Sequence, residues 1–220
     1  RILFVGNSYT YVNDLPGRVA AIAESLGFEP PVEVTTIASG GAWLADHAAN
    51  AATLAEIEGG GYDFVVLQEQ SYLPVIDAQT FYDAAEVLAA AAYDGGAAPA
   101  LFETWARQEG NALYSDDLSG YTPATMQEAL RDAYTQAAAL TSAQVLPVGD
   151  AWEATIAAHP EMTLFDADGS HPSQSGTYLS ACVIFAALTS ASLDGAGGAP
   201  SGVSDTDAAI LRAMAEAAIE

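Results

Sequence analysis

The sequence contains no lysine and only five arginines, against 29 aspartates and glutamates, so its formal net charge is −24 at pH 7. Because a surface of this sign repels phosphate backbones, the composition argues against a nucleic-acid partner. It also disfavours binding to an anionic membrane surface. The acidity itself bears on solubility and on the habitat or genome bias of the source, and it specifies no fold.

Cysteine and long apolar runs are also scarce. Cys182 is the single cysteine, which excludes a disulfide within the chain, and its apolar surroundings favour a small core residue. The longest apolar stretch, around residues 182–188, is much shorter than the ~20 residues that a membrane span needs. No leader precedes the strand-like run after Arg1, which leaves both export and a cytoplasmic location open. The composition predicts no particular oligomeric state.

Short apolar runs alternate with longer alanine-rich segments along the whole chain. Hydrophobic residues make up 51% of the 220 residues, enough to bury the core of one domain spanning 1–220. The pattern predicts strands at 2–5, 32–38, 62–67, 100–104 and 144–148. It predicts helices at 15–26, 42–57, 79–93, 122–140, 150–158, 173–189 and 205–219. This alternation predicts an α/β fold, a three-layer α/β/α sandwich with a parallel sheet of roughly five strands in a flavodoxin-like arrangement.

The residues after the first predicted strand are Gly6, Asn7 and Ser8. In parallel sheets, functional residues gather at the carboxyl ends of the strands. Glycine permits a tight turn there, and the backbone N–H groups at the start of the next helix favour negative charge. Ser8 is therefore a candidate nucleophile and a candidate first donor of an oxyanion hole, although a plain turn also uses such residues.

Polar or small residues also follow the second and third predicted strands. Gly40 and Gly41 allow the backbone to approach a ligand and expose an N–H group, or they form an ordinary turn into the next helix. Gln68, Glu69 and Gln70 follow the apolar third strand. A carboxamide N–H can stabilise a developing oxyanion, and Gln70 is the first candidate for that role. Hydrogen bonding within the loop is the competing interpretation.

Aromatic residues lie near these strand ends in the sequence. Tyr9, Tyr11, Tyr72 and Trp105 could stack on a sugar, form the wall of an acyl pocket, or simply pack in the core. Trp105 and Arg107 follow the fourth predicted strand, where they line a pocket or serve in packing and a surface ion pair. The sequence leaves these alternatives open.

Asp168 and His171 are three residues apart in an Asp-Gly-Ser-His turn. A carboxylate at this spacing can hold the imidazole tautomer while the far ring nitrogen faces a nucleophile. His47, inside a predicted helix, and His159, before a proline, fit structural or exposed roles better. A metal site is a weak alternative, because the acidic residues of this turn lack the further ligands of a calcium-binding loop.

Taken in order, these blocks resemble those of the SGNH hydrolase superfamily, also called GDSL-like esterases. That family has a Gly-Asp/Asn-Ser nucleophile after strand one, a glycine after strand two, an Asn-bearing block after strand three and Asp-x-x-His near the C-terminus. Here the matching segments are Gly6-Asn7-Ser8, Gly40-Gly41, Gln68-Glu69-Gln70-Ser71 and Asp168-Gly169-Ser170-His171. The resemblance spans nearly the whole chain. It departs from the family at Gln70, which stands where the third block has Asn and is one methylene longer.

The resemblance implies hydrolysis of acyl esters through an acyl-enzyme. Ser8 is then the nucleophile, His171 its general base, and Asp168 the carboxylate that orients the ring. The oxyanion hole would comprise the N–H of Ser8, the N–H of Gly41, which is preferred to Gly40, and the Gln70 amide.

The same resemblance bears on ligands. It implies a small-molecule or carbohydrate ester as substrate and requires no metal or organic cofactor. Asn7, Tyr9 and Trp105 are expected to contact that substrate.

Several functions fit this assignment. The resemblance favours a carbohydrate O-acetylesterase, with a lipase, thioesterase or arylesterase as alternatives. A non-catalytic carbohydrate-binding relative is a further alternative, against which the intact Ser, Asp and His argue. A flavodoxin-like nucleotide binder is disfavoured, since the chain lacks a phosphate-binding glycine fingerprint and has few basic residues.

Overall fold

A five-stranded parallel sheet forms the centre of the computed structural model, which describes residues 1–219. The strands are β1 (Ile2–Gly6), β2 (Val34–Ala38), β3 (Phe64–Leu67), β4 (Ala98–Phe102) and β5 (Gln144–Leu146). Their order across the sheet is β2-β1-β3-β4-β5, and Phe4 pairs with Thr36 on one side and Val66 on the other. The predicted α/β fold with a parallel sheet is confirmed.

Helices connect the strands and cover both faces of the sheet. They are α1 (Ser8–Tyr11), α2 (Leu15–Ser25), α3 (Leu44–Ala48), α4 (Ala51–Gly59), α5 (Leu73–Ile76), α6 (Ala78–Asp94), α7 (Pro123–Thr141), α8 (Val148–Ala158), α9 (Gln174–Thr189) and α10 (Asp205–Ile219). Side-chain oxygens begin several of them, as at α9, where Ser173 accepts a hydrogen bond from the Gly176 N–H. Within residues 1–219, none of these helices combines the length and the apolar character that crossing a bilayer takes.

Alternate residues of β1 point to opposite faces of the sheet and join two separate cores. Phe4 packs with α2, α8, α9 and α10 on one face. Leu3 and Val5 pack with α4, α6 and α7 on the other. All of β1 is buried. This coverage of both faces explains why the central strands β1 and β3 are uninterrupted apolar runs in the sequence.

The sheet order places β1 where the chain reverses its direction of travel across the sheet. β1 pairs with β2 on one side and with β3 on the other, so the chain moves to one side after β1 and then returns past it. A crevice forms outside the carboxyl ends of the strands at such a point. The segments that follow β1, β2 and β3 meet at this crevice.

The predicted helix at 42–57 is two helices in the structure, α3 and α4. The break comes at Asn50, whose side-chain oxygen accepts hydrogen bonds from the N–H groups of Ala52 and Thr53 and so begins a new helix. The predicted strand at 100–104 is β4, which begins earlier and ends at Phe102. Glu103 and the residues after it therefore lie beyond the sheet, at the edge where the candidate site forms.

Candidate active site

Ser8 is the first residue of α1 and directly follows the turn after β1. Asn7 fixes this turn, because its side-chain oxygen accepts the Tyr9 N–H at 3.1 Å and its side-chain nitrogen donates to the Ala42 carbonyl at 2.9 Å. Gly6 is needed before it, since a Cβ there would lie 2.5 and 2.6 Å from neighbouring side-chain oxygens. The turn leaves Ser8 half-buried at the carboxyl edge of the sheet.

Two further polar side chains support the turn after β1. Gln68 accepts the Asn7 N–H at 3.0 Å and the Thr10 hydroxyl at 2.8 Å through its side-chain oxygen. His47 is buried, and its Nε2 lies 2.8 Å from the Gly6 carbonyl oxygen. These bonds tie the turn to the loop after β3 and to α3, which gives His47 a structural role.

A chain of hydrogen bonds runs from Asp168 through His171 to Ser8. His171 Nε2 lies 2.9 Å from Ser8 Oγ, and His171 Nδ1 lies 2.5 Å from Asp168 Oδ2. When Nδ1 donates its proton to the carboxylate, Nε2 is left as an acceptor for the hydroxyl proton. The structure thus brings together the three residues that the sequence predicts as nucleophile, base and orienting carboxylate.

The turn that contains Asp168 keeps its side chain ionised. Asp168 Oδ1 accepts the N–H groups of Ser170 and His171, both at 2.9 Å. Partial burial acts to raise the pKa of Asp168, but these bonds and the His171 ring outweigh it and bring the pKa below its ordinary value of 3.8. Gly169, with φ of 63°, permits the left-handed backbone that this turn needs.

The turn is also anchored to the segment after β4. Asn111 Nδ2 donates to the Asp168 carbonyl and Trp105 Nε1 donates to the Ser170 carbonyl, each at 3.0 Å. The position of His171 relative to the sheet is therefore set by contacts between loops as well as by the turn itself.

The predicted oxyanion donors lie on the loops that meet Ser8. Among residues 1–219, no acceptor is bonded to the backbone N–H of Ser8 or of Gly41, and Gly41 is exposed with φ of 71°. The Gln70 side-chain oxygen accepts the N–H groups of Tyr72 and Leu73, both at 3.0 Å, at the start of α5. This cap orients the Gln70 amide and leaves its nitrogen without an acceptor in the described part of the chain. Donation from Gln70 to an oxyanion stays a prediction.

Comparisons with known proteins bear on the family. No protein-family model matches the chain, and no curated protein matches it. Among solved structures, a candidate SGNH hydrolase from Slackia heliotrinireducens is 33% identical, with a TM-score of 0.74 over 84% of this chain and 96% of that one. The chain belongs to the SGNH hydrolase superfamily.

More distant structures share the SGNH fold. A DUF4886 family protein from Bacteroides uniformis is 19% identical, with a TM-score of 0.78 over 99% of this chain and 93% of that one. The acetyl xylan esterase AlAXEase is 15% identical, with a TM-score of 0.65 over 85% of this chain and 98% of that one. At these identities the likeness extends to the fold alone.

Within this SGNH fold, the buried carboxylate of Glu69 joins the two loops that carry Gly41 and Gln70. It is 0% exposed and accepts the Leu44 N–H at 3.1 and 3.2 Å and the Gln70 N–H at 2.5 Å. Burial raises the pKa of Glu69 to about 7, although these two N–H groups act in the opposite direction. The sequence pattern favours Gln70 over Glu69 as a functional residue. The available signal for Glu69 was an acidic residue placed two positions after the apolar strand β3.

Asn7, Tyr9 and Trp105 are predicted from the sequence to contact substrate, and the structure buries all three. They are 3%, 3% and 1% exposed. Tyr9 stacks on Trp105 with ring centroids 4.5 Å apart, and Trp105 stacks on Trp152 at 3.9 Å. Because neighbouring rings and hydrogen bonds occupy their surfaces, these side chains support the site from beneath.

A cavity of about 460 Å³ opens next to this support. Trp105 and Arg107 line it, together with apolar side chains such as Trp152 and Ile156. The sequence left Arg107 open between a pocket residue and a member of a surface ion pair. Within residues 1–219, no carboxylate lies within 4.0 Å of its guanidinium, and the structure favours the pocket.

Proposed function

We propose that this SGNH-family protein is a serine esterase that hydrolyses acyl esters with Ser8 as its nucleophile. The observation that carries the proposal is the hydrogen-bonded chain from Asp168 Oδ2 to His171 Nδ1 at 2.5 Å and from His171 Nε2 to Ser8 Oγ at 2.9 Å. A serine beside a base that is itself oriented by a carboxylate is the arrangement that nucleophilic acyl transfer needs.

In the first half of the reaction, Ser8 Oγ attacks the ester carbonyl carbon while His171 Nε2 takes the hydroxyl proton. The carbonyl oxygen becomes an oxyanion, which the N–H groups of Ser8 and Gly41 stabilise, with the Gln70 amide as third donor. Asp168 stays ionised and stabilises the imidazolium. His171 then protonates the leaving alcohol as the bond between the carbonyl carbon and the alcohol oxygen breaks, which leaves an acyl group on Ser8.

In the second half, water replaces the alcohol. His171 removes a proton from the water, whose oxygen attacks the acyl carbon of the Ser8 ester. The same donors stabilise the second oxyanion, and the proton returns to Ser8 Oγ as the carboxylic acid leaves. No step draws on chemistry beyond these side chains and backbone N–H groups.

For the substrate, we infer an acetyl or other small acyl group on a carbohydrate. The inferred substrate is supported by the fold that this chain shares with the acetyl xylan esterase AlAXEase. Because the two chains are 15% identical, this support is an analogy between folds. A comparison of acetylated sugars with p-nitrophenyl esters of increasing acyl length separates this substrate from those of a lipase, a thioesterase or an arylesterase.

Replacement of the nucleophile tests the proposal. Ser8→Ala lowers kcat/KM for p-nitrophenyl acetate by at least ~10⁴-fold, because no other group takes over covalent attack. The matched control is Ser39→Ala, an exposed serine on the loop before Gly41, which keeps wild-type activity. A fluorophosphonate probe, analysed by peptide mass spectrometry, labels Ser8. An active Ser8→Ala protein with a wild-type circular dichroism spectrum, or labelling at another serine, refutes the assignment.

A further inference from the structure

Arg107 is held beside the Ser8 site by neutral groups only. Its Nη1 donates to the Tyr9 hydroxyl at 2.5 Å, its Nη2 donates to Ser71 Oγ at 2.7 Å, and its guanidinium carbon lies 5.6 Å from the Tyr9 ring centroid. Burial raises the pKa of Tyr9 above 10.0, although the Arg107 charge opposes this. Tyr9 is therefore a neutral phenol at working pH, and neither partner cancels the positive charge.

This charge is unpaired in a chain that has an excess of carboxylates. Of the five arginines, Arg1 and Arg131 each form an ion pair, whereas within residues 1–219 Arg18 and Arg212 form none. In the described part of the chain, no carboxylate lies within 4.0 Å of the Arg107 guanidinium either. A charge left without a counter-ion next to a candidate site is available to a ligand.

One guanidinium nitrogen of Arg107, Nε, is left without an acceptor among residues 1–219 and is not enclosed. Arginine has five N–H donors in a planar fork, and only two are used here. Arg18 Nε, by contrast, is enclosed and has no partner. Arg107 Nε is therefore a donor that remains for a carboxylate oxygen, in a charge-assisted hydrogen bond.

Arg107 approaches the Ser8 site through Tyr9 rather than through the 460 Å³ cavity, whose lining lacks Ser8 and His171 and includes the acidic residues Glu109 and Glu153. Through Tyr9, Arg107 reaches the acid–base side of the site, because the Tyr9 hydroxyl lies 2.8 Å from Ser170 Oγ and the Tyr9 ring lies edge-on to His171, with centroids 5.5 Å apart. A group bound to Arg107 therefore lies on the acid–base side of the Ser8 site.

We propose that Arg107 binds a carboxylate carried by the substrate, so that the preferred substrates are esters with an anionic group close to the ester bond. The inference rests on the proposed esterase function of Ser8 and specifies its substrate class. Tyr9 and Ser71 hold the guanidinium in place. A planar, permanently charged group suits carboxylate recognition better than a lysine ammonium.

The test compares esters that differ only in a carboxylate. One pair carries it on the acyl side, p-nitrophenyl hemisuccinate against p-nitrophenyl butyrate. The other carries it on the alcohol side, an O-acetylated galacturonide against the matching galactoside.

The wild type prefers the anionic member of one pair, and the pair that shows the preference identifies the side of the ester bond on which the carboxylate lies. Arg107→Met lowers the ratio of anionic to neutral kcat/KM by about 10- to 100-fold, and Arg107→Lys restores part of it.

Two results overturn the inference and leave the esterase assignment intact. One is a wild type that depends on Ser8 but prefers the neutral member of both pairs. The other is an Arg107→Met protein in which both members lose the same factor, which makes Arg107 a support for Tyr9 and nothing more.

A binding measurement separates the inference from turnover. Calorimetry with succinate and galacturonate, the anionic products, detects binding to the wild type that Arg107→Met abolishes. If the wild type hydrolyses no ester, the proposed function fails while this measurement still tests Arg107. Absence of binding of both acids to the wild type refutes the carboxylate site.

Discussion

Two carboxylates organise opposite sides of the proposed site, and their surroundings differ. Asp168, on the His171 side, has a side chain that is 50% exposed and a pKa lowered by hydrogen bonds from its own turn. Glu69, on the oxyanion side, is 0% exposed and has a pKa raised to about 7 by burial. The first is ionised throughout the neutral range, and the second changes its charge there.

The two carboxylates therefore serve different purposes. Asp168 faces a ring that becomes a cation during the proposed reaction, so its charge matters. Within residues 1–219, the hydrogen bonds to the Glu69 carboxyl group come from the backbone N–H groups of Leu44 and Gln70, and a carboxyl group accepts hydrogen bonds in either protonation state. Glu69 is therefore a positioning residue for the loops around Gly41 and Gln70.

The largest expected effect is on the exposed carboxylate. Asp168→Asn lowers kcat by about 10³- to 10⁴-fold, because an amide cannot hold His171 in the required tautomer or stabilise its charge. The measurement is steady-state hydrolysis of p-nitrophenyl acetate. Asp166→Asn, an exposed neighbour in the same acidic segment, serves as the control and keeps full activity. A loss below tenfold for Asp168→Asn would mean that its charge is as dispensable as that of Glu69.

The next effect concerns Gln70, the residue on which the oxyanion side departs from the SGNH pattern. Gln70→Ala lowers kcat by about 10- to 1000-fold if its amide donates to the oxyanion. Gln70→Glu is the matched variant, since it keeps the oxygen that accepts from Tyr72 and Leu73 at the start of α5 and removes the donor. Loss in both variants supports donation, whereas loss in Gln70→Ala alone assigns the effect to the helix cap. Unchanged turnover in both makes Gln70 a bystander.

The smallest expected effect concerns stability and the charge of Glu69. Burial raises its pKa from 4.5 to about 7, so between these values the folded protein binds more protons than the unfolded chain. The free energy of unfolding therefore falls as the pH rises through this range. The glutamine of Glu69→Gln cannot ionise, so the free energy of unfolding of this variant does not fall for that reason. Relative to the wild type, its free energy of unfolding therefore rises by about 1 to 3 kcal/mol between pH 5 and pH 8.

Urea denaturation of both proteins at several pH values measures this gain. Glu58→Gln, which removes an exposed carboxylate, shows no such relative gain. If the free energy of unfolding changes with pH in the same way for Glu69→Gln and the wild type, the pKa of Glu69 is not raised. The difference in pKa between Glu69 and Asp168 is then contradicted.

The exposed side of the site was easier to predict from the sequence than the buried side. Asp168 and His171 are three residues apart, so a local turn determines their contact, and their spacing is visible in the sequence. Glu69 bonds to Leu44, 25 residues away, and only the packing of α3 against the sheet brings the two together. Sequence spacing carries no information about such a contact.

The same distinction applies to the fold and to the aromatic residues. The central strands β1 and β3 follow from apolar runs that are continuous in the sequence, and the parallel arrangement follows from alternation with helices. Trp105 was expected to face a ligand because it follows a strand. It is instead covered by Tyr9 and Trp152, which are distant from it in the sequence.

The stacked rings beneath Ser8 have an optical consequence. Trp105 and Trp152 are parallel to within 1° with centroids 3.9 Å apart, close enough for their electronic transitions to couple. Coupled indoles give a paired band in circular dichroism that isolated indoles lack. Trp43, the third tryptophan of the chain, is 42% exposed on the loop after β2 and emits as a solvated indole. Dichroism therefore reports on the packing under the site, while the Trp43 emission reports on the loop near Gly41.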